Sequence, residues 1–443
     1  MKNTARPLSC MALMVLALAV TSCGSVPPVT TTASVTAPAM RQLATVRVGP
    51  SVTETALLSS MPGAQILSFD REGGYAVVSL PAAQQNLQAA GLVSGRLQAL
   101  DATLVTLEPD LDVAVQSDDE AESMGITTWA GGITTWAGGI TTWAGGLSFL
   151  AGTNLNGALS YLSQLGIPEA HKLVPELGKG VKVAVLDTGV DLNHALIKSR
   201  LDTVSDWDYI GNDAVPQEEQ AASGTSSKYG HGTGVAGVIL QVAPNATLMT
   251  YRVLRPDGSG PLSYVVQAID RAVTNGAQII NLSLGITTNS SALNTVIARA
   301  VEKGVLVVNS SGNTGTAGMV YPGQNVGSTM FPKGSGLIAV GSVGTTLKKS
   351  KFSSYAKNMS LTSFGENVLT AFPGTRIVSA SGTSFAAPAV SGALALALST
   401  GRAQPTTLST DLLNSTTPNL DPTYNGGLGT GTLNVYNLVR NYR

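Results

Sequence analysis

From Gly157 to its C-terminus this chain reads as an α/β domain on a mostly parallel sheet, preceded by a small α+β unit. Two patterns predict the larger domain. The first is a series of nearly continuous apolar runs, as expected of strands buried on both faces: VKVAVLD (181–187), ATLMTYRVL (246–254), AQIINLSL (277–284), VLVVN (305–309) and LIAVGSV (337–343). The second is the pair of segments between them, YVVQAIDRAVTNG and ALNTVIARAVEKG, with helical apolar spacing and a closing Gly. In such alternating folds function collects at the carboxyl ends of the strands.

The smaller unit spans residues 41–115. Strands are expected at 43–48, 65–69, 75–80 and 102–107. SVTETALLSSM reads as a short helix capped by Ser51 with Glu54 three residues on, and 82–90 is helix-like. The order βαββαβ is the ferredoxin-like, split-βαβ pattern. A unit of about 70 residues is marginal for independent stability.

Ahead of it, MKNTARPLSCMALMVLALAVTSC (1–23) has the layout of an export signal: Lys2 and Arg6, then an apolar run at 10–20 too short to span a bilayer. Its end, VTSC, resembles a bacterial lipoprotein box, which implies lipid on Cys23; a plain cleavable signal with an incidental cysteine is the alternative. Cys10 and Cys23 are the only cysteines, so the folded part has no disulfide. Residues 24–40, rich in Pro, Thr, Ala and Val without charge, form a tether. Charged residues make up 12% of the chain and the net charge is -1, which gives no reason to expect nucleic acid or an acidic membrane surface as partner.

Between the two folded units, 116–155 is a linker containing ITTWAGG three times without substitution (126–146). Paired glycines and threonines argue against a coiled coil, and three units are too few for a solenoid. The repeat is expected to be an exposed, cleavable tether, with a tryptophan-rich docking ribbon as the alternative.

Three residues at element boundaries carry chemistry. Asp187 ends a strand in VAVLDTGVD, His231 opens a buried helix in YGHGTGVAGVIL, and Ser384 opens another in SASGTSFAAPAVSGALALAL. A serine hydroxyl becomes a competent nucleophile when a base takes its proton, and a buried carboxylate fixes the tautomer of an imidazole base. Singly, each residue could be a turn or cap. The other histidines, His171 and His194, have no comparable setting.

In this order DTGVD, GHGTGVAG and SGTSFAAP resemble the three signature blocks of the subtilisin-like serine proteases, the subtilases, thermitase-like members included. The resemblance runs from about Gly166 to the end and implies a three-layer α/β fold. It implies that Asp187 orients His231, that His231 is general base then acid, and that Ser384 is the nucleophile. A tetrahedral intermediate needs preorganised donors for its oxyanion, and Asn313 in VVNSSGNTG matches the family's asparagine. Gly258, Ser259, Gly260 and Ser283, Leu284, Gly285 resemble the two segments that pair with an extended peptide, so a broad endopeptidase acting on proteins or peptides is expected.

Some features depart from the family. Gly234 in the histidine block and Ala389 in the serine block each stand where the family commonly has a further histidine, Leu196 stands at a frequent carboxylate position, and GVILQVAPNATL lacks the loop of the strongest calcium site. WDYIGNDAVPQEE resembles another calcium loop, with Asp208, Asp213 and Gln217 matching and Gly211 replacing one carboxylate; a solvated acidic loop fits it equally. No cofactor is expected for the chemistry itself.

The 41–115 unit, ending in VTLEPDLDVAV, resembles a subtilase propeptide, an intramolecular inhibitor. The expectation is then a self-processing zymogen: monomeric, exported, lipid-anchored to the cell envelope as precursor, and extracellular after cleavage. Two rivals stand beside it. One is an inactive subtilase-fold scaffold lipoprotein, and the other is a serine-carboxyl peptidase, which GHGTG disfavours.

Overall fold

The computed structural model describes residues 41–81, 94–115, 140–143, 147–150, 160–221, 228–374 and 376–443. The export signal with Cys23, the 24–40 tether, the expected 82–90 helix and the first two repeat copies lie outside the described residues.

The small unit is described in part, with its expected second helix outside the described residues. It comprises β1 (Gln42–Val48), α1 (Glu54–Ser60), β2 (Gln65–Asp70), β3 (Tyr75–Leu80), a helical turn at 94–98 and β4 (Ala102–Pro109). The sheet order is β2-β3-β1-β4 and every pairing is antiparallel. The cap of α1 is Thr53, whose hydroxyl accepts the Ala56 amide at 3.2 Å, rather than the expected Ser51. Alternation along β1 and β3 divides this sheet between two cores. Ala44, Val46 and Val78 face α1 and Leu57, whereas Leu43, Leu67 and Val77 join a core shared with the larger domain. A marginal unit thus buries its second face on its neighbour.

After it come β5 (Asp112–Ala114), then β6 (Ile140–Trp143) and β7 (Leu147–Leu150), an antiparallel pair. The third repeat copy therefore contributes a strand where no regular element was expected.

The large domain opens with α2 (Ser160–Gln164) and α3 (Ile167–Leu173). Its parallel sheet is built from β8 (Lys182–Asp187), β9 (Trp207–Asp208), β10 (Thr247–Arg252), β12 (Ile279–Leu282), β13 (Leu306–Ser310), β14 (Leu337–Val343) and β15 (Leu361–Phe364). Their order in space is β15-β14-β13-β12-β8-β10-β9, parallel throughout. On one face lie α4 (His231–Val242) and α7 (Thr383–Leu398); on the other lie α5 (Leu262–Thr274) and α6 (Ser291–Glu302). Successive residues of β8 serve the two faces: Val183 and Val185 pack with α4 and α7, while Ala184 and Leu186 pack with α5 and α6. Both faces being buried explains the unbroken apolar runs.

The predicted glycine stops hold. Gly276 and Gly304 follow α5 and α6 with φ of 81° each, a left-handed conformation that glycine adopts without steric cost. A short β11 (Ser259–Pro261) precedes α5, and a hairpin of β16 (Val368–Phe372) and β17 (Arg376–Ala380) precedes α7. The chain finishes with α8 (Pro405–Asn414) and α9 (Val435–Val439).

The strand order reverses beside β8: the chain places β10 and β9 on one side of it and β12 to β15 on the other. Ligand sites in open α/β sheets lie at that switch, outside the carboxyl ends. Asp187 is the last residue of β8.

Candidate active site

Asp187 and His231 come together from two elements, Ser384 is the chain neighbour of Phe385, which packs on the His231 ring, and all three are buried. His231 is the first residue of α4, and its Nδ1 lies 2.7 Å from Asp187 Oδ1. A carboxylate accepts only, so Nδ1 carries a hydrogen, and in the neutral ring the lone pair is then on Nε2. Nε2 has no hydrogen-bond partner among the described residues. The Thr188 amide also donates to Asp187 Oδ1 at 2.7 Å, fixing the carboxylate's plane.

Ser384 lies in the first turn of α7, beside Phe385, whose ring packs 5.5 Å from that of His231. Its hydroxyl donates to the Ser283 carbonyl at 3.3 Å, a long contact. A network behind it fixes the turn. The Ser283 hydroxyl donates to the Ser384 carbonyl (2.9 Å), Asn281 Nδ2 donates to the Ser283 hydroxyl (3.0 Å), and the Ser391 hydroxyl donates to Asn281 Oδ1 (2.9 Å). Asn281 and Ser391 were not anticipated, since both sit inside apolar runs.

Asn313 approaches the same turn. Its Oδ1 accepts the amide and hydroxyl of Thr383 at 2.9 and 2.8 Å, which sets the orientation of its amide. Nδ2 then lies against Gly382, 3.6 Å from where a Cβ there would stand.

At Gly234 a Cβ would meet Phe385 at 3.1 Å and Thr370 at 3.2 Å, so α4 packs tightly on both side chains there.

Residues 112–115 occupy the groove between the two predicted peptide-pairing segments. β5 pairs antiparallel with β11, with Gly260 opposite Val113. The Val115 amide donates to the Gly258 carbonyl at 2.9 Å. On the other side Ala114 and Gly285 exchange both backbone hydrogen bonds, at 3.1 and 3.0 Å. Val113 and Val115 are buried in the core that includes Leu284 and Leu254. Gly258, Ser259, Gly260 and Gly285 are thus gathered around one extended strand, while Ser283 and Leu284 lie beneath it.

Two carboxylates of the small unit fasten it to helix starts of the large one. Glu108 accepts from the Ser290 hydroxyl (2.7 Å) and from the amides of Ser291 (3.0 Å) and Ala292 (2.9 Å), at the start of α6. Asp110 accepts the Ser263 amide at 2.9 Å, at the start of α5. Arg299 bridges Asp70 and Asp270, and the Ser68 hydroxyl donates to Asp270. None of these contacts was foreseen, because a carboxylate in a strand carries no sign of which helix it will meet.

The 207–219 loop does not suit a calcium ion. The buried carboxylate of Asp208 is occupied on both oxygens: Oδ2 pairs with Arg252 Nη1 at 2.9 Å, and Oδ1 accepts the amides of Ile210 and Gly211 at 2.8 Å each. Arg252 also pairs with Glu219 at 2.6 Å. Asp213 Oδ1 accepts the Val215 amide, and Gln217 Oε1 accepts the Leu192 amide. Charge balance at Asp208 is met by a guanidinium.

His171 and His194 are structural. Their Nε2 atoms lie 2.8 Å from the Val242 carbonyl and 3.2 Å from the Arg376 carbonyl, and burial holds both below the usual histidine pKa.

Comparison with known proteins agrees with this geometry. The subtilase family profile matches residues 178–431. The chain is 36% identical to Subtilisin BL of Lederbergia lenta over 244 residues, which is 53% of this chain and 82% of that one. It is 35% identical over 251 residues to Subtilisin E of Bacillus subtilis (strain 168), covering 54% and 60% respectively. To the Minor extracellular protease Vpr of the same organism it is 38% identical over 180 residues, covering 37% and 22%. A profile match across more than half of the chain, over a domain of this fold, shows that this chain belongs to the subtilase family and is a subtilisin-like serine protease.

Proposed function

We propose that this protein is an exported zymogen whose Ser384 attacks peptide carbonyls with His231 as base and Asp187 as its orienting carboxylate. The observation that supports this most is the buried 2.7 Å contact between His231 Nδ1 and Asp187, which leaves the Nε2 lone pair for the serine proton. In this reading the Ser384 hydroxyl turns from the Ser283 carbonyl to Nε2 as substrate enters; catalytic hydrogen bonds are often long before substrate binds. Attack forms the Ser384 Oγ–carbon bond as the proton passes to Nε2. Asp187 stabilises the imidazolium without taking the proton. Nδ2 of Asn313 and the Ser384 amide would receive the oxyanion. His231 then protonates the leaving amine, and water repeats the sequence to release the acyl group.

The 41–115 unit acts as the inhibitor. Its last described strand lies where an extended substrate would pair, and that pairing is through the main chain. Recognition by backbone supports broad side-chain preference. The ITTWAGG repeat then lies on the cleaved connector, and lipid on Cys23 would stay with the inhibitor while the protease leaves the envelope.

The test compares intact masses of precursor lacking the signal, as parent and as Ser384→Ala. The parent alone should shorten. If both stay full length and the parent cleaves no unfolded protein, the reading fails.

A further inference from the structure

We propose that Glu218 is a positioning residue that clasps the two backbones carrying Asp187 and His231. The inference rests on the triad reading above. Glu218 stands thirteen positions before His231 on a loop, yet its carboxylate is buried at 4% exposure where three segments meet. Oε1 accepts the Gly230 amide at 2.5 Å and the Thr188 hydroxyl at 2.6 Å. Oε2 accepts the Thr233 amide at 3.0 Å and also the Thr233 hydroxyl. Gly230 and Thr233 flank His231, and Thr188 follows Asp187. One carboxylate therefore holds both sides of the Asp187–His231 contact.

The first amides of α4 need acceptors from outside the helix. The amide of His231 donates to the Lys228 carbonyl (2.9 Å), that of Gly232 to the Thr188 hydroxyl (3.0 Å), and that of Thr233 to Glu218. The capping position is Gly230, which has no side chain to offer. Glu218 supplies that acceptor from elsewhere, where the helix dipole favours a negative charge.

The Thr188 hydroxyl also lies 3.2 Å from Asp187 Oδ1. It has one proton, and the shorter distance assigns that proton to Glu218. The titratable groups that face Glu218 are Asp187 at the end of β8 and Tyr229, two residues before α4. Burial first, and Asp187 second, push its carboxyl up to about 7 against the hydrogen bonds that favour the anion. When Glu218 gains a proton on Oε1 it can donate to Thr188, whose own proton is then free to turn to Asp187. The arrangement around Asp187 would thus follow the state of Glu218.

Glu218→Gln discriminates well because it keeps the shape. Both carboxylate oxygens accept a backbone N–H, so an amide must set its NH2 against either Gly230 or Thr233. The experiment measures kcat and KM for parent, Glu218→Gln and Glu218→Ala, each per active site titrated with phenylmethylsulfonyl fluoride. It also records the pH profile of kcat/KM and the downfield Nδ1–H proton resonance of His231.

We expect kcat per site to fall about 10-fold or more with KM changed less than about two-fold, since small misplacements of a catalytic group can cost about 100-fold. The acid limb of kcat/KM should move to lower pH with loss of a neighbouring anion, and the Nδ1–H resonance should shift upfield. Unchanged kcat per site and pH profile, with only a lower melting temperature, would reduce Glu218 to a helix cap and overturn the proposal. If the variants resist titration, the resonance in a Ser384→Ala background decides: an unmoved signal also overturns it. An inactive parent, by contrast, sinks the triad reading itself.

Discussion

Glu108 caps a helix to which it is not joined: its carboxylate accepts the amides of Ser291 and Ala292 at 3.0 and 2.9 Å, at the start of α6. Three charge-assisted hydrogen bonds and a favourable helix dipole converge on this one side chain, counting that from Ser290. Glu108→Ala should therefore loosen the small unit from the protease. In a Ser384→Ala precursor we expect about 10-fold faster cleavage of the 41–115 unit by added protease, corresponding to about 1.4 kcal/mol, close to the lower end of the range for one hydrogen bond to a charged group. An unchanged rate would mean that the strand at 112–114 alone sets the docking.

The register of that strand predicts where the chain is cut. Residue numbers across an antiparallel pair sum to a constant, so a chain that keeps the Ala114–Gly285 register during cleavage would bring the residue two places after Ala114 to Ser283. The Ser283 carbonyl accepts from the Ser384 hydroxyl. Self-processing is expected to break the Gln116–Ser117 bond first, giving Ser117 as the new N-terminus by terminal sequencing of an early time point. A first cut within the tryptophan repeat would contradict this register.

Asn313→Ala tests the oxyanion donor. The expected loss in kcat is about 100- to 1,000-fold with KM little changed, the range known for such a donor in subtilisin. A larger rise in KM than fall in kcat would place Asn313 in substrate binding. The Thr383 contacts leave its Nδ2 directed to the Gly382 side, which is why the loss should fall on kcat.

Arg252 is the cation paired with buried Asp208, so removing it leaves that carboxylate uncompensated. Arg252→Ala should cost about 3–5 kcal/mol, the usual effect of breaking a buried pair. The parent's melting temperature should be the same in EDTA and in millimolar calcium as far as this loop decides it. A parent that loses stability in EDTA, with Asp208→Asn abolishing the loss, would show that the loop does take calcium.

Legibility followed the range over which each residue's role is decided. Asp187, His231 and Ser384 could be read because each ends or opens an element whose apolar pattern is local, and the glycines around them record tight packing. The strands of the parallel sheet were visible because burial on both faces removes polar interruptions. β15 and the β16–β17 hairpin were not, being only four or five residues long, each with a Ser or Thr among its apolar residues. Glu218 and Arg252 escaped for another reason. One looked like part of a solvated acidic loop, and the other like the polar end of a strand. Their partners are 30 and 44 positions away. A sequence window does not contain the fact that makes them matter.

Asp206 offers a test of that kind of hidden burial through pH. Its Oδ1 accepts the Thr250 amide at 2.7 Å, yet burial outweighs this and pushes its carboxyl up to about 7. A carboxyl raised on folding is favoured in its neutral form. Its contribution to stability is therefore complete below its unfolded value and is lost as pH rises through about 7. Asp206→Asn keeps an acceptor for Thr250 and cannot ionise. Between pH 5 and pH 8 the melting temperature of Asp206→Asn should fall less than that of the parent. Each unit of such a shift is worth about 1.4 kcal/mol. Comparing the two proteins at each pH cancels the other titrating groups, including Glu218. Parallel curves across that window would show that Asp206 stays ionised in the fold, and that the Thr250 amide outweighs its burial.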